Sequence, residues 1–298
     1  MRIADLPWYD VPELAPATDA WWRGIAFHLR RLGVDRVPDQ LSRDGSHVSR
    51  WQHPELLLSQ ACGYDVLYDA ADDIVPLATP VYAAEGCEGP RYRSIVVTRA
   101  DRPWRTLDDL RGARAAINEA SSHSGTNALR SVIAPLSRDG AFFGDVIVTG
   151  SHSDSLAAVQ AGTADVACID TVVLALLRRV RRDVVRGLRP IRCTGSALAP
   201  PYVMSARAPA ALQRTVQQAL HDAANDPQLA GHRHALLLDG FVFLPPASYA
   251  ELEDFEEPAL TAGYLELPAP QRSPLHRAGA RQEAQRGACA GPASRLTG

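Results

Sequence analysis

Asn118-Glu119-Ala120-Ser121-Ser122-His123-Ser124-Gly125-Thr126-Asn127-Ala128-Leu129-Arg130 is the stretch on which the reading of this chain turns. The apolar run at 114–117 reads as a strand, 118–124 as a polar loop, and 125–134 as a helix. The first turn of a helix has unpaired N–H groups and about half a positive charge. Ser122 and Ser124 add hydroxyl donors, and Gly125 leaves room for a ligand to approach the backbone, a geometry that suits a tetrahedral oxyanion. The same letters also read as a plain N-cap, with one serine closing the helix and the others filling the loop.

Working outward, Thr149-Gly150-Ser151-His152-Ser153-Asp154-Ser155 repeats the design: strand 145–149, a short polar loop, then a helix over 153–161 with Gly162 as its C-terminal cap. Helix starts of this kind open on one edge of an α/β sheet, where ligands collect. Ser151 or Ser153 suits the cap, and His152 is either a surface histidine or a donor to an anion. Asp170 follows strand 166–169 and precedes helix 171–180, so it reads as an N-cap or as an acceptor facing the cleft. A carboxylate beside an oxyanion selects a ligand that carries a proton or an amine.

Alternation of strand-length apolar runs with helical patterns continues along most of the chain, which predicts α/β layers with mostly parallel sheets. The first part contains a strand at 3–6, a helix over 20–32 ended by Gly33, and strands at 56–59 and 74–82. Turn-rich residues 85–90 mark a crossover into strand 94–98, and a short helix opens at Thr106. The Gly/Pro-rich passage 193–201 marks the return, followed by strand 202–205, a helix beginning near Pro209, and further elements near Leu236 and Phe241. The predicted lobes are therefore 1–88 and 196–266 for the first and 89–195 for the second, with 267–298 a disordered tail.

At 298 residues, 46% hydrophobic and 22% charged, the chain has material for a sizeable core and is long for a single compact one. Its formal charge of −3 gives no reason to expect nucleic acid. The run Arg178-Arg179-Val180-Arg181-Arg182 has no interleaved aromatics and suits the solvated end of helix 171–180. All 31 basic residues are arginine, which excludes Schiff-base and P-loop lysine chemistry. The five cysteines have neither zinc nor disulfide-framework spacing. No activated nucleophile, metal set or cofactor loop is legible, so the expectation is binding without catalysis, cofactor or metal. No apolar run reaches membrane-spanning length and no secretory signal is legible at Met1, so the sequence as written reads as cytoplasmic, or periplasmic if its true start lies upstream.

Taken in order, several segments resemble the phosphate/phosphite/phosphonate substrate-binding family of ABC transporters, in the type II periplasmic binding protein superfamily. They are Trp8-Tyr9-Asp10, Leu58-Ser59-Gln60-Ala61-Cys62-Gly63-Tyr64, Thr79-Pro80-Val81-Tyr82, Gly89-Pro90-Arg91-Tyr92-Arg93-Ser94 and Asp109-Leu110-Arg111-Gly112, followed by the two serine-rich helix starts and 164–170. The resemblance implies a two-lobed fold closing over a small oxyanion. It implies that Ser122, Ser124 and Gly125 hold the phosphoryl oxygens, that His152 adds a contact, that Tyr9, Tyr64 and Tyr92 line the cleft, and that Asp170 meets an amino group. Without it, each tyrosine reads equally as a core or rim aromatic. His123 stands where the family more often has a small or amide side chain, so it is a candidate for altering the ligand or its pH response. An ABC permease is the implied partner. Two rivals stand beside this reading: an enzyme for small phosphorylated or carboxylic acids on the same fold, and a cytoplasmic ligand sensor.

Overall fold

A computed structural model describes residues 2–267. Its strands, in chain order, are β1 (Ile3–Ala4), β2 (Leu56–Gln60), β3 (Ile74–Tyr82), β4 (Arg91–Tyr92), β5 (Ser94–Arg99), β6 (Arg114–Ile117), β7 (Asp145–Val148), β8 (Val166–Asp170), β9 (Leu188–Cys193), β10 (Ala197–Leu198), β11 (Tyr202–Ser205) and β12 (Leu238–Val242). They form two five-stranded sheets, ordered β1-β2-β11-β3-β12 and β7-β6-β8-β5-β9. Two separate sheets make the two-lobed α/β arrangement that the family resemblance implied.

The pairing refines that expectation. In the first sheet only β1 and β2 pair parallel, while β11 inserts antiparallel between β2 and β3, and β12 pairs antiparallel to β3. In the second, β6 pairs parallel with β7 and β8, and β5 pairs antiparallel with β8 and β9. β11 and β12 in the first sheet and β5 in the second run against the other strands, so five of the eight adjacent pairs are antiparallel and neither sheet is mostly parallel in its pairing, as had been expected. β9 has no counterpart in the sequence reading: its alternation is interrupted by Arg189, Pro190 and Arg192, and its burial is partial.

Between the sheets, β4 pairs antiparallel with β10, Ala197 opposite Tyr92 and Leu198 opposite Arg91. The outgoing and returning crossovers thus make a two-stranded ribbon, the hinge between the lobes. The helix Ala15–Arg31 buries Trp21, Trp22, Ile25 and Leu29 in the first lobe's core. This helix, expected over 20–32, begins five residues earlier, after a 3-10 turn at Pro12–Leu14. The second lobe has two cores, one on each face of its sheet.

The end of the described chain departs from the predicted boundaries. Tyr249 and Leu252 pack in the first lobe's core, but Ala259 and Tyr264 are buried in the second lobe's. The chain therefore crosses between lobes a third time, where 196–266 was expected to remain with the first. The tail expected from Pro268 lies outside the described residues.

Candidate ligand-binding site

A cavity of about 330 Å³ lies between the lobes. The first lobe contributes Trp8, Tyr9, Asp10, His47 and Asp65, and the second contributes Asn118, Glu119, Ser122, Ser124, His152 and Asp170, with Tyr92 from the hinge ribbon. Six of the nine residues singled out in the sequence thus line this one cavity: Tyr9, Tyr92, Ser122, Ser124, His152 and Asp170. Tyr64, His123 and Gly125 are adjacent to the cavity without lining it.

The serine-rich start has an unusual winding. Ser122 is the N-cap, in extended conformation, and His123–Asn127 form a π-helical turn before the α-helix Ala128–Ile133. Such turns often mark functional sites. Ser122 Oγ accepts from the Gly125 N–H at 3.2 Å, which leaves its own O–H as a donor. Both open readings of this serine are compatible with that bond, because a capping oxygen still carries a hydrogen.

Ser124 Oγ lies 2.8 Å from His152 Nε2, joining the two helix starts that the sequence placed side by side. His152 Nδ1 is buried without a partner. Either atom can be the donor in this contact, the direction following the imidazole tautomer, and the bond fixes the orientation of the serine hydroxyl against the ring. Burial pushes the pKa of His152 down to about 4, so the ring is neutral at physiological pH.

Asp170 combines its two readings. Oδ1 caps the helix Thr171–Val180 by accepting from Val172 N–H at 2.6 Å and Val173 N–H at 3.2 Å, while Oδ2 accepts from the Tyr9 hydroxyl at 2.8 Å. Burial raises its pKa to about 6 against these hydrogen bonds, which lower it. Burial also raises the Tyr9 and Tyr92 phenols well above their ordinary value, so both remain neutral donors.

Gly125 serves a contact that was not foreseen. A Cβ there would lie 1.8 Å from Asn118 Oδ1, so the missing side chain admits the Asn118 carboxamide. His123 is turned into the protein: 2% exposed, stacked on Tyr64 at 5.6 Å and edge-on to Phe255 at 4.6 Å. Burial drives its pKa down to about 3. Tyr64 hydrogen-bonds Glu256. These two aromatic positions support the helix start from behind.

The sequence reading missed Asp65, Glu119, Asn118, His47 and Trp8 as lining residues. Asp65 carried a signal: its carboxylate accepts from the Cys62 N–H at 3.1 Å, closing the turn Cys62-Gly63-Tyr64. Burial raises its pKa to about 7. Among the described residues no arginine lines the cavity. Its acidic residues are Asp10, which pairs with Arg43 at 2.6 Å, and Asp65, Glu119 and Asp170, which form no salt bridge among the described residues.

The fold and this cleft define the class: a two-lobed binding protein with hydroxyl and helix-start donors converging between its lobes. The family model for the periplasmic substrate-binding protein of phosphonate ABC transporters matches residues 52–249, and the chain belongs to that family. Solved structures agree in fold. A binding protein component of an ABC phosphonate transporter from Pseudomonas aeruginosa superposes with a TM-score of 0.72 at 14% identity, covering 96% of this chain and 95% of that one. PhnD1 from Prochlorococcus marinus, in complex with methylphosphonate, gives 0.67 at 13% identity over 88% of this chain and 98% of that one. XAC2383 from Xanthomonas citri, bound to ATP, gives 0.66 at 16% identity over 88% and 98%. No curated protein matches the sequence. Among the described residues no helix is long and apolar enough to cross a membrane.

Proposed function

We propose that the chain captures a small phosphonate, phosphite or phosphate in the interlobe cavity and presents it to an ABC-type uptake system. The observation that carries this reading is the pair of buried hydroxyls, Ser122 and Ser124, at the N-terminal turn, with Ser124 oriented by a neutral His152. Neutral dipoles of this kind bind an oxyanion without a lysine or a metal.

The unpaired carboxylates narrow the ligand. An oxyanion facing Asp65, Glu119 and Asp170 with no cation on the wall is repelled unless a proton or a positive group accompanies it. A phosphonate bearing an ammonium group meets both demands, with Asp170 among the groups facing the ammonium. Against the enzyme reading, the Ser124–His152 pair has the spacing of a nucleophile and its base, but burial makes His152 a weak base.

Calorimetry with phosphate, phosphite, methylphosphonate, 2-aminoethylphosphonate, sulfate and carboxylates tests the proposal. Loss of Ser122 and Ser124 together as alanines removes hydrogen bonds to a charged group, each worth about 1.5–3 kcal/mol, and weakens affinity by roughly 100-fold or more. If no oxyanion binds the wild type, or the double variant binds as well, the proposal fails. Fractionation of cells expressing the natural gene, and co-purification with a permease, test the transport role; turnover of a bound ligand would favour the enzyme instead.

A further inference from the structure

The third crossing is short and engages every moving part. Its first-lobe anchor is Tyr249 and Leu252, each 1% exposed, and its second-lobe anchor is Ala259 and Tyr264, at 2% and 1%. A Cβ on Gly63 would lie 2.4 Å from Leu252 Cδ1, so the first anchor sits where only glycine leaves room. Between anchors there is little slack, and the lobes cannot separate without moving or straining this strap.

Glu251, on the strap, grips both strands of the hinge ribbon. Its carboxylate accepts from Arg91 Nη1 at 2.9 Å and Nη2 at 2.8 Å on β4, and from the Leu198 N–H at 3.1 Å on β10. Arg91 in turn donates to Ser196 Oγ at 3.2 Å and Ser196 O at 3.1 Å. Tyr249 donates to Ala199 O at 3.0 Å. Together these contacts fasten the ribbon to the first lobe, leaving the bend to the residues beyond it, Arg93 and Thr194-Gly195.

Phe255 occupies that pivot. A Cβ on Gly195 would be 3.1 Å from its ring, and the ring meets His123 edge-on at 4.6 Å. His123 is the first residue of the π-helical turn, flanked by the two cavity serines. One side chain thus touches both the hinge and the back of the helix start.

We infer that Glu251 and Phe255 are positioning residues for closure: Glu251 fixes where the hinge bends, and Phe255 couples that bend to the seating of Ser122 and Ser124. Neither lines the cavity. The affinity consequence rests on the ligand reading proposed above, whereas the effect on lobe opening does not.

Small-angle scattering of the ligand-free protein reads the opening directly. Glu251→Gln and Phe255→Ala are expected to enlarge the radius of gyration relative to wild type, and the reversed pair Arg91→Glu/Glu251→Arg to restore part of the compaction lost in Glu251→Gln. With 2-aminoethylphosphonate as probe, each single variant should bind roughly 3- to 10-fold more weakly, mostly through faster dissociation. Phe255→Tyr, which keeps the ring, should stay near wild type and controls for cavity formation. Unchanged ligand-free scattering in both single variants overturns the inference, as does a loss of thermal stability without any change in opening. If 2-aminoethylphosphonate fails to bind wild type, the reading of an ammonium-bearing phosphonate falls and the scattering comparison still decides the role of the strap.

Discussion

The Tyr9 hydroxyl donates to Asp170 Oδ2 at 2.8 Å, across 161 positions of sequence and from one lobe to the other. Tyr9 holds this position with a backbone φ of 64°, in the left-handed region, where a bulky residue costs about 1–3 kcal/mol. Its ring also meets Tyr82 edge-on at 5.1 Å. The Tyr82 contact stays within the first lobe, whereas the bond to Asp170 spans the cleft and is the one that separating the lobes would break. Tyr9→Phe should leave the fold intact and weaken ligand binding by about 1.5–3 kcal/mol, the worth of a hydrogen bond to a charged group, read as a rise in Kd of roughly 10- to 150-fold by calorimetry.

The pH response has two opposed sources. Asp65 and Asp170 have raised pKa values, about 7 and about 6, so the folded chain protonates them before the unfolded chain does. Their cost to folding is full above about pH 7 and is relieved as the pH falls. His123 and His152 are held down at about 3 and about 4. The unfolded chain protonates histidines below about 6.5 while the folded chain does not, so these two destabilise progressively on acidification. Scanning calorimetry should show Asp65→Asn/Asp170→Asn melting above wild type at about pH 8, with the gap closing toward about pH 5. His123→Gln should gain on wild type only below about pH 6.5. A carboxylate-variant advantage that persists undiminished at about pH 5 contradicts this assignment.

Gly125 and Asn118 form a close-packed pair that predicts a double-mutant signature. Gly125→Ala places a methyl within 1.8 Å of Asn118 Oδ1 and should destabilise by about 1–3 kcal/mol through overpacking. Asn118→Ala/Gly125→Ala removes the clash and should recover most of that loss, which urea titration of the four proteins measures as a coupling energy.

Asp5 and Arg50 make a buried pair beneath the first sheet's edge, Nε to Oδ2 at 2.6 Å, with Arg50 also donating to the Asp44 and Gly45 carbonyls. Both are more than nine-tenths buried. Arg50→Met strands the Asp5 carboxylate and should cost about 3–5 kcal/mol. Asp5→Asn/Arg50→Met should cost less than Arg50→Met alone, and denaturant unfolding distinguishes the two.

Much of the cleft was legible because its parts are local. A strand, a polar loop and a capped helix occupy consecutive residues, so Ser122, Ser124, His152 and Asp170 could be placed on one sheet edge from spacing alone. His123 and Gly125 sit in the same motif, and their side-chain roles were not legible: the π-helical turn rotates the histidine inward, and the glycine answers to Asn118. Cavity residues such as Trp8 and Glu119 belong to no periodic pattern and come together only through lobe closure.

The sequence by itself determined the α/β alternation, the two crossovers and the helix starts with donors to spare, because apolar period, glycine caps and serine N-caps act within a few residues. Tertiary structure decided the rest. It inserted β11 and β5 antiparallel, sent the chain across the lobes a third time, and set the Asp170 carboxylate against Tyr9. Those outcomes depend on which buried surfaces meet and on how far burial shifts a charge, quantities that exist only once distant segments share a core. The helix start at Ser122 was written in the chain; its depressed histidine, its orienting partner and the acidic residues around it were made by folding.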